Sequence, residues 1–328
     1  EHNAAIAQGQ NPANKRRIAR EEMTLQELFD DYMERHGKPN KRFWRQDQSK
    51  FNQYLTCNDR GGFNLSDRRL SKILKADFAQ LHSLISKKHH VTANRVLALI
   101  SSIFSWAIRA GLWEYANPAA GIAKNREKSR DRFLQADELP QFFQALVAEE
   151  NETLRDYVLI SLLTGARESN VLAMQWDQLN LDAGTWYIPE TKNGTPQLIP
   201  LTPHSVSILR SRKEKASLFT KFVFEGSGKT GHLTVPKRGW YRILKRAAVS
   251  NLRIHDLRRT LGSWQAATGA SLPIIGKTLN HKHPSSTAIY ARLTLDPVRD
   301  ALMTAHAAML RVGGEDLTAL LTHQPANI

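Results

Sequence analysis

The chain has 328 residues, and 46 Lys and Arg against 31 Asp and Glu give a net charge of +15 at pH 7. Its length favours two domains, and 41% hydrophobic residues exclude a disordered or collagen-like chain. A lone cysteine, Cys57, excludes an internal disulfide and a thiolate zinc cluster, so a reducing compartment is expected. No run of about 18 apolar residues is present, so no membrane span is predicted. The start, Glu1-His2-Asn3, has neither an initiator Met nor a signal-peptide pattern, and we expect the sequence to be part of a longer protein that has been shortened at its N-terminus.

The excess positive charge predicts a polyanion as partner. The alternative is a basic surface that binds no specific partner. Lys and Arg grouped along a chain supply phosphate contacts and counterion release, the sequence-independent part of nucleic-acid affinity. Such clusters occur at residues 15–17, 41–45, 68–69, 237–238 and 245–246.

Helical periodicity begins at Thr24, which fits a capping box with Glu27, and Gly37 with Pro39 should end this helix. Four helices with short connections predict a compact bundle over residues 22–123. The other three helices are predicted at 43–55, at 77–86 and from the N-cap Thr92 to Gly111.

Residues 124–132 (KNREKSRDR) contain five basic and two acidic side chains and no apolar one. Such a segment cannot pack by burying apolar surface, and we predict a linker. Its net positive charge suits a strap along a phosphate backbone, and a solvated connector is the equal alternative.

The second half of the chain predicts a mixture of helices and short strands. An Asn193-Gly194 turn between residues 185–189 and 197–201 predicts a β-hairpin. The fold class is therefore mostly α with a small antiparallel β-sheet. Further predictions are helices at 133–149 and 152–163, a third short strand at 221–225, helices up to about residue 310 and a leucine-rich tail after 313–314.

Two suggestive patterns fail. Residues 226–230 (GSGKT) resemble the end of a P-loop, but the required earlier glycine is Val223 and no helical pattern follows. His281 and His283 lack a third nearby ligand, so no metal site is predicted. No acidic cluster indicates a two-metal nuclease, although carboxylates distant in sequence could converge.

Three short motifs contain candidate catalytic residues. His255 and Arg258, in IHDLRRT, are spaced i,i+3 and would share one helix face. Arg167, in TGAR, begins a segment after a helix, and two separate arginines could hold both non-bridging oxygens of one phosphodiester. LNH ends at His281, and Tyr290 follows nine residues later. Each motif alone is more often a surface or packing feature.

Together and in this order, the motifs resemble those of the tyrosine recombinase (phage integrase) family. Residues 164–172 resemble its first-arginine box, Lys192 its strand-borne lysine, and 255–260 its His-x-x-Arg box. His281 and Tyr290 stand where the family has its second histidine and its nucleophile.

Residues outside these boxes also resemble the family. NPAAGI at 117–122 and KSRDRFL at 128–134 resemble integrases of prophages and genomic islands, and residues 4–15 resemble the tail of an arm-binding module. Two positions depart from the family pattern. Asn170 replaces an acidic residue of many relatives, and Asn280 replaces a glycine but tolerates left-handed backbone angles.

The resemblance implies an N-terminal helical core-binding bundle and a mixed α/β tyrosine-recombinase catalytic domain. The implied bounds are an arm-module remnant at 1–21, the core-binding domain at 22–123, a basic linker at 124–132, the catalytic domain at 133–312 and a tail at 313–328.

The implied reaction is integration or excision of a mobile element through a covalent 3′-phosphotyrosine on Tyr290. His255 would accept the phenolic proton, and Lys192 would protonate the departing 5′ oxygen. The arginines of the two boxes would neutralise phosphate charge, and His281 would add a hydrogen bond. Because one phosphoester replaces another, no cofactor or metal is expected. The implied catalytic set is Arg167, Lys192, His255, Arg258, His281 and Tyr290.

The implied partners are double-stranded DNA attachment sites, a homotetramer assembled on DNA, DNA-bending accessory proteins and an excisionase. The implied location is the bacterial cytoplasm, at the nucleoid. The predicted DNA contacts are Lys41, Arg42, Arg45, Lys124, Arg126, Lys128, Arg130, Lys237 and Arg238.

Two other functions stay open at this point. A type IB topoisomerase shares the Arg, Lys, His and Tyr chemistry, and would relax a plasmid that lacks an attachment site. A non-catalytic, sequence-specific DNA-binding regulator would form no covalent adduct.

Overall fold

The computed structural model describes residues 22–56, 64–191, 194–217, 220–290 and 296–313. The chain forms two compact units that divide between Ser129 and Arg130. Several predictions lie outside the described residues: the arm-module remnant, Cys57, Lys192, Asn193 and the leucine-rich tail.

The first unit is a helical bundle whose first helix confirms the predicted capping box. Thr24 Oγ1 accepts a hydrogen bond from the Glu27 amide at 3.2 Å, and the Glu27 carboxylate accepts from the Thr24 amide at 2.7 Å. The predicted end at Gly37 is wrong, because a π-helical turn continues the helix and Pro39 falls in the first turn of the next segment, where its missing N–H is tolerated. The elements are α1 Leu25–Tyr32, the π-helix Met33–Gly37, α2 Lys38–Asn40, α3 Trp44–Tyr54, a 3₁₀ turn Leu70–Lys72, α4 Lys75–Ser86 and α5 His90–Arg109.

Helix α5 forms the centre of this unit. It begins at His90, two residues before the predicted cap Thr92, and ends as predicted before Gly111, which has φ 71°. Among the described residues it is the one helix that is long and apolar enough to cross a membrane by length and composition. Ten of its residues are buried, and nine of them pack in the apolar core of the bundle, while the tenth, Asn94, is hydrogen-bonded to His82.

The second unit contains a three-stranded antiparallel sheet of order β1-β2-β3. The central strand buries Trp186 fully and leaves Tyr187 half exposed, so alternate residues face the core. Both strands of the predicted hairpin are confirmed, and the two-residue β1 was missed because it is too short for a periodic pattern. The predicted strand at 221–225 is wrong: that segment forms two isolated bridges. The strands are β1 Leu179–Asn180, β2 Thr185–Ile188 and β3 Gln197–Pro200.

Helices α6 to α11 share one apolar core with this sheet, whereas Ile275 of α12 packs in a separate small cluster with Leu279 and Tyr290. Helix α6 is shorter than predicted and begins at Leu139, with a proline in its first turn. The GSGKT segment forms a turn without a following helix until Lys237, which agrees with the exclusion of a P-loop. The helices are α6 Leu139–Val147, α7 Glu152–Thr164, α8 Glu168–Leu172, α9 Pro203–Lys215, α10 Lys237–Arg246, α11 Asp256–Ala267, α12 Leu272–Thr278 and α13 Asp296–Gly313, with 3₁₀ turns at Trp176–Gln178 and Pro284–Ser286.

Candidate active site

The first arginine follows a glycine turn at the end of α7. Gly165 has φ 58°, and a Cβ atom there would lie 2.7 Å from Leu261 Cδ2, so both conformation and space require glycine. Arg167 comes directly after this turn and donates from Nη2 to the carbonyl oxygen of Asn280 at 3.0 Å. Its Nη1 is buried and has no hydrogen-bond partner among the described residues.

The second arginine lies on α11 and connects two distant turns. Arg258 is 5% exposed and donates from Nη1 to the carbonyl oxygen of Gly165 at 2.7 Å. Its Nη2 donates to the carbonyl oxygen of Leu279. Burial and the nearby charge of Arg167 lower the pKa of Arg258 to about 10, so it stays protonated at neutral pH.

The LNH motif forms the turn after α12, and its backbone carbonyl groups accept the hydrogen bonds of both arginines. Asn280 has φ 48°, which confirms the left-handed conformation expected there. Nδ1 of His281 lies 2.9 Å from Thr287 Oγ1, and the His281 ring is near-parallel to the ring of Tyr290 with centroids 6.3 Å apart. Burial, with the charges of Arg258 and Arg167, lowers the pKa of His281 to about 4, so this imidazole is neutral at pH 7.

Tyr290 comes from the same chain as these groups, and its side chain is buried, with 2% exposed. Its ring packs over Gly262 of α11, where a Cβ atom would lie 2.7 Å from Cζ of the tyrosine. Burial raises the pKa of the phenol, and the positive charges of Arg258 and Arg259 act against that rise. The phenol is therefore protonated at neutral pH and needs a proton acceptor before it can attack.

His255 precedes α11 and differs from its i+3 neighbour Arg258, because it is exposed rather than buried. Local desolvation and the charges of Arg258 and Arg259 lower the pKa of His255, and Asp256 acts in the opposite direction. A neutral imidazole that is open to solvent can accept a proton.

Residues on both sides of Lys192, which itself lies outside the described residues, contact the segment around the end of α12. Asn280 Nδ2 donates to Thr191 Oγ1 at 3.4 Å, and Gln197 Nε2 donates to the carbonyl oxygen of Thr278 at 3.1 Å. The strands on both sides of the hairpin turn are therefore connected to the segment that carries His281.

Sequence reasoning missed three residues that shape this site: Asp256, Gly262 and Thr287. A glycine inside a helical pattern is a signal for close approach of another group, and it could have indicated Gly262. Asp256 and Thr287 gave no such signal, since their partners are distant in sequence or in an irregular turn. Asn170 stands where many relatives of the family have an acidic residue. Its Nδ2 is buried and has no hydrogen-bond partner among the described residues.

Seven of the nine predicted DNA contacts are exposed, and two are engaged within the protein. Lys41 forms an ion pair with Asp47 at 2.9 Å, and Arg130 forms one with Asp256 at 2.7 Å. The exposed seven are Arg42, Arg45, Lys124, Arg126, Lys128, Lys237 and Arg238. Within the described ranges, no group of three or more His, Cys, Asp or Glu side chains could hold a metal ion.

Comparison with known sequences decides the family. The phage integrase family model matches residues 132–296, which include every described catalytic candidate. The chain belongs to the phage integrase family. The predicted tyrosine recombinase resemblance is thereby confirmed.

Two relatives show how far the likeness extends. Prophage integrase IntF of Escherichia coli K12 is 27% identical over 174 residues, which is 52% of this chain and 37% of that protein. The tyrosine recombinase XerC of Xanthomonas campestris pv. campestris is 24% identical over 244 residues, 71% of this chain and 75% of that protein. The match therefore spans little more than a third of the first integrase.

Two solved structures confirm the predicted fold class. The integrase of transposon Tn1549, in complex with a circular intermediate DNA, has a TM-score of 0.67 at 15% identity, covering 86% of this chain and 99% of that one. A lambda integrase dimer bound to a COC′ core site has a TM-score of 0.67 at 20% identity, covering 87% of this chain and 82% of that one.

Proposed function

We propose that this integrase-family chain breaks and rejoins DNA at specific sites through a covalent 3′-phosphotyrosine on Tyr290. The observation that carries the proposal is convergence: the buried Arg258, the half-buried Arg167, a neutral histidine and Tyr290 come from three separated segments of one chain and meet at the Gly165 and Asn280 turns. Mobile-element integration or excision is the proposed biological role.

The proposed reaction assigns one step to each side chain. The phenol oxygen of Tyr290 attacks the scissile phosphorus and forms the new P–O bond, and the bond to the 5′ oxygen breaks. His255 takes the phenolic proton, and Lys192 gives a proton to the departing 5′ oxygen. Rejoining reverses these transfers with a 5′ hydroxyl from another strand, so phosphoester energy is conserved without a cofactor.

The arginines would supply the positive field for this step. The Nη1 atom of Arg167 is an unused, buried donor, and such a group is costly unless a ligand satisfies it. A phosphate oxygen is the acceptor that fits a guanidinium donor in this setting. Arg258 would neutralise the developing charge from the other side, and His281 would add a hydrogen bond.

The proposed partner is double-stranded DNA that contains an attachment site, bound by a homotetramer. A lambda integrase tetramer bound to a Holliday junction and XerH bound to a palindromic difH substrate are similar in fold, with TM-scores of 0.64 and 0.61. The seven exposed basic residues support DNA binding by charge. Residues 22–123 would form the core-binding domain and 133–312 the catalytic domain. Accessory bending proteins, an excisionase and a place at the nucleoid complete the proposal.

Nicked suicide DNA that carries candidate core sites tests the reaction. The expected result is a protein-linked 3′ end, which maps to Tyr290 and disappears in Tyr290→Phe while DNA binding is retained. An adduct that persists in Tyr290→Phe would refute the assignment. Relaxation of a plasmid without any attachment site would identify a topoisomerase instead, and binding without an adduct a regulator.

A further inference from the structure

Asp256, in the His-x-x-Arg box, is completely buried and accepts hydrogen bonds from three residues. Arg130 donates to it from Nε at 2.9 Å and from Nη2 at 2.7 Å. Arg259 donates from Nη1 at 2.6 Å, and the amide of Arg253 donates at 2.8 Å. A carboxylate without exposure is stable only when it is paired and fully hydrogen-bonded, and these donors meet that condition.

The guanidinium of Arg130 is also fully hydrogen-bonded, like the carboxylate with which it pairs. Its Nη1 donates to Asn251 Oδ1 at 3.0 Å, and its Nη2 also donates to the carbonyl oxygen of Asn251. All three of its nitrogens are engaged, and the side chain is 21% exposed. Binding a phosphate through this guanidinium would require breaking the pair with Asp256, which leaves a buried carboxylate without its main partner.

The segment that begins at Arg130 continues along α11. The amide of Leu134 donates to Thr260 Oγ1 at 3.0 Å, and Trp264 Nε1 donates to the carbonyl oxygen of Leu134 at 3.1 Å. The segment is therefore attached to α11 at its first residue and again one and two turns later.

The structure assigns Arg130 to positioning: paired with Asp256, it holds the start of α11 and thereby places His255 and Arg258, and it is not a phosphate contact. His255 directly precedes Asp256, and Arg258 follows it by two residues on the same helix. A shift of about 1 Å in such groups can cost about 10²-fold in rate.

This inference rests on the proposed function and is tested by separating DNA affinity from the rate of adduct formation. Arg130→Gln should reduce the single-turnover rate at saturating suicide DNA by about 10- to 100-fold. Its affinity and the slope of log K against log salt should stay unchanged. Arg130→Lys keeps the charge but loses the bidentate fork, so its rate should lie between Arg130→Gln and the unmodified chain.

Arg126→Gln is the matched control, because Arg126 is an exposed arginine in the same basic segment. It should weaken binding and lower the slope of log K against log salt by about one. The same behaviour in Arg130→Gln would overturn the inference and make Arg130 a DNA contact. An unchanged rate in Arg130→Gln would also overturn it.

A double-mutant cycle tests whether the two residues act as a unit. Asp256→Asn should slow adduct formation as Arg130→Gln does, and the double variant should be no slower than the slower single variant. Multiplied losses would contradict the pairing. If Arg130→Gln does not fold, the cycle is run with Arg130→Lys. Absence of an adduct with the unmodified chain would refute the proposed function, whereas an adduct formed equally by all variants would refute only the positioning role.

Discussion

Arg258 Nη1 donates to the carbonyl oxygen of Gly165 at 2.7 Å, although 93 positions separate the two residues. The arginine that would neutralise a phosphate thus also connects the end of α7 to α11. Arg167 differs in its hydrogen bonding, because its Nη1 is buried and has no partner among the described residues. The two arginines should therefore respond differently to substitution.

Removal of either arginine should slow adduct formation, but only one removal should destabilise the fold. Arg167→Ala and Arg258→Ala should each lower the cleavage rate by about 10²–10³ and leave DNA affinity nearly unchanged. Arg258→Ala leaves two buried carbonyl oxygens without donors, which should cost about 2–4 kcal/mol of unfolding free energy. Arg167→Ala should cost less than about 1 kcal/mol. Urea unfolding and single-turnover cleavage measure the two effects, and equal stability losses would contradict this division of roles.

The pH dependence of cleavage should report His255. This side chain must be neutral to accept a proton, and local desolvation together with the charges of Arg258 and Arg259 lowers its pKa. The rate should therefore be level through neutral pH and fall only below the ordinary histidine pKa of 6.5. His281, with its pKa of about 4, should not contribute to this limb.

Two variants sharpen the pH experiment. His255→Gln should lower the rate and remove the acid limb, whereas Asp256→Asn should move the limb to still lower pH, because the carboxylate raises the pKa of His255. A single-turnover profile with its midpoint at or above about 6.5 in the unmodified chain would count against His255 as the base.

The contact between Gly262 and Tyr290 predicts a size effect. In Gly262→Ala the new methyl group would lie 2.7 Å from Tyr290 Cζ and 2.9 Å from Leu279 Cδ1, so the ring and the turn must both move. We expect a loss of about 1–3 kcal/mol in unfolding free energy and a lower cleavage rate. Gly228→Ala is the control, since nothing lies within 4 Å of the added carbon. Equal melting temperatures for the two variants would show that the packing is looser than described.

DNA binding should depend strongly on salt. The affinity for an attachment-site duplex should fall linearly on a plot of log K against log salt. Lys237→Gln and Arg238→Gln, at the exposed start of α10, should each reduce the slope by about one if these side chains contact phosphates. A titration series from low to physiological salt measures this, and a flat plot for the unmodified chain would contradict DNA binding through charge.

The sequence predicted most of the elements, because capping residues, glycines and periodicity are local signals. The capping box at Thr24 and the strands on both sides of the Asn193-Gly194 turn are examples. The helical run that begins with α1 was predicted to end at Gly37 and Pro39 but continues to Asn40, since proline was interpreted as a stop although it is tolerated in a first helical turn. The strand predicted at 221–225 is replaced by two isolated bridges, because the pairing of Phe222 and Glu225 depends on residues of other segments.

The sequence predicted which residues form the candidate site, but not how they are arranged in space. The motifs named the residues, and the structure brings Arg167, Arg258, His281 and Tyr290 together. The hydrogen bonds that hold them were not predictable, because their partners are backbone carbonyls far away in sequence. The pairing of Arg130 with Asp256 was not predicted either, because 126 positions separate the two residues, and the composition of the basic segment gives no sign of it.

The inward packing of Tyr290 against Gly262 has a consequence for how the chain meets random DNA. In the proposed reaction, a ring that is 2% exposed would have to turn outward and give up its place beside His281 before its oxygen could reach a phosphate. The interaction energy of a bound attachment site would have to offset that rotation. The contact that buries the ring would thereby limit attack on unrelated phosphates.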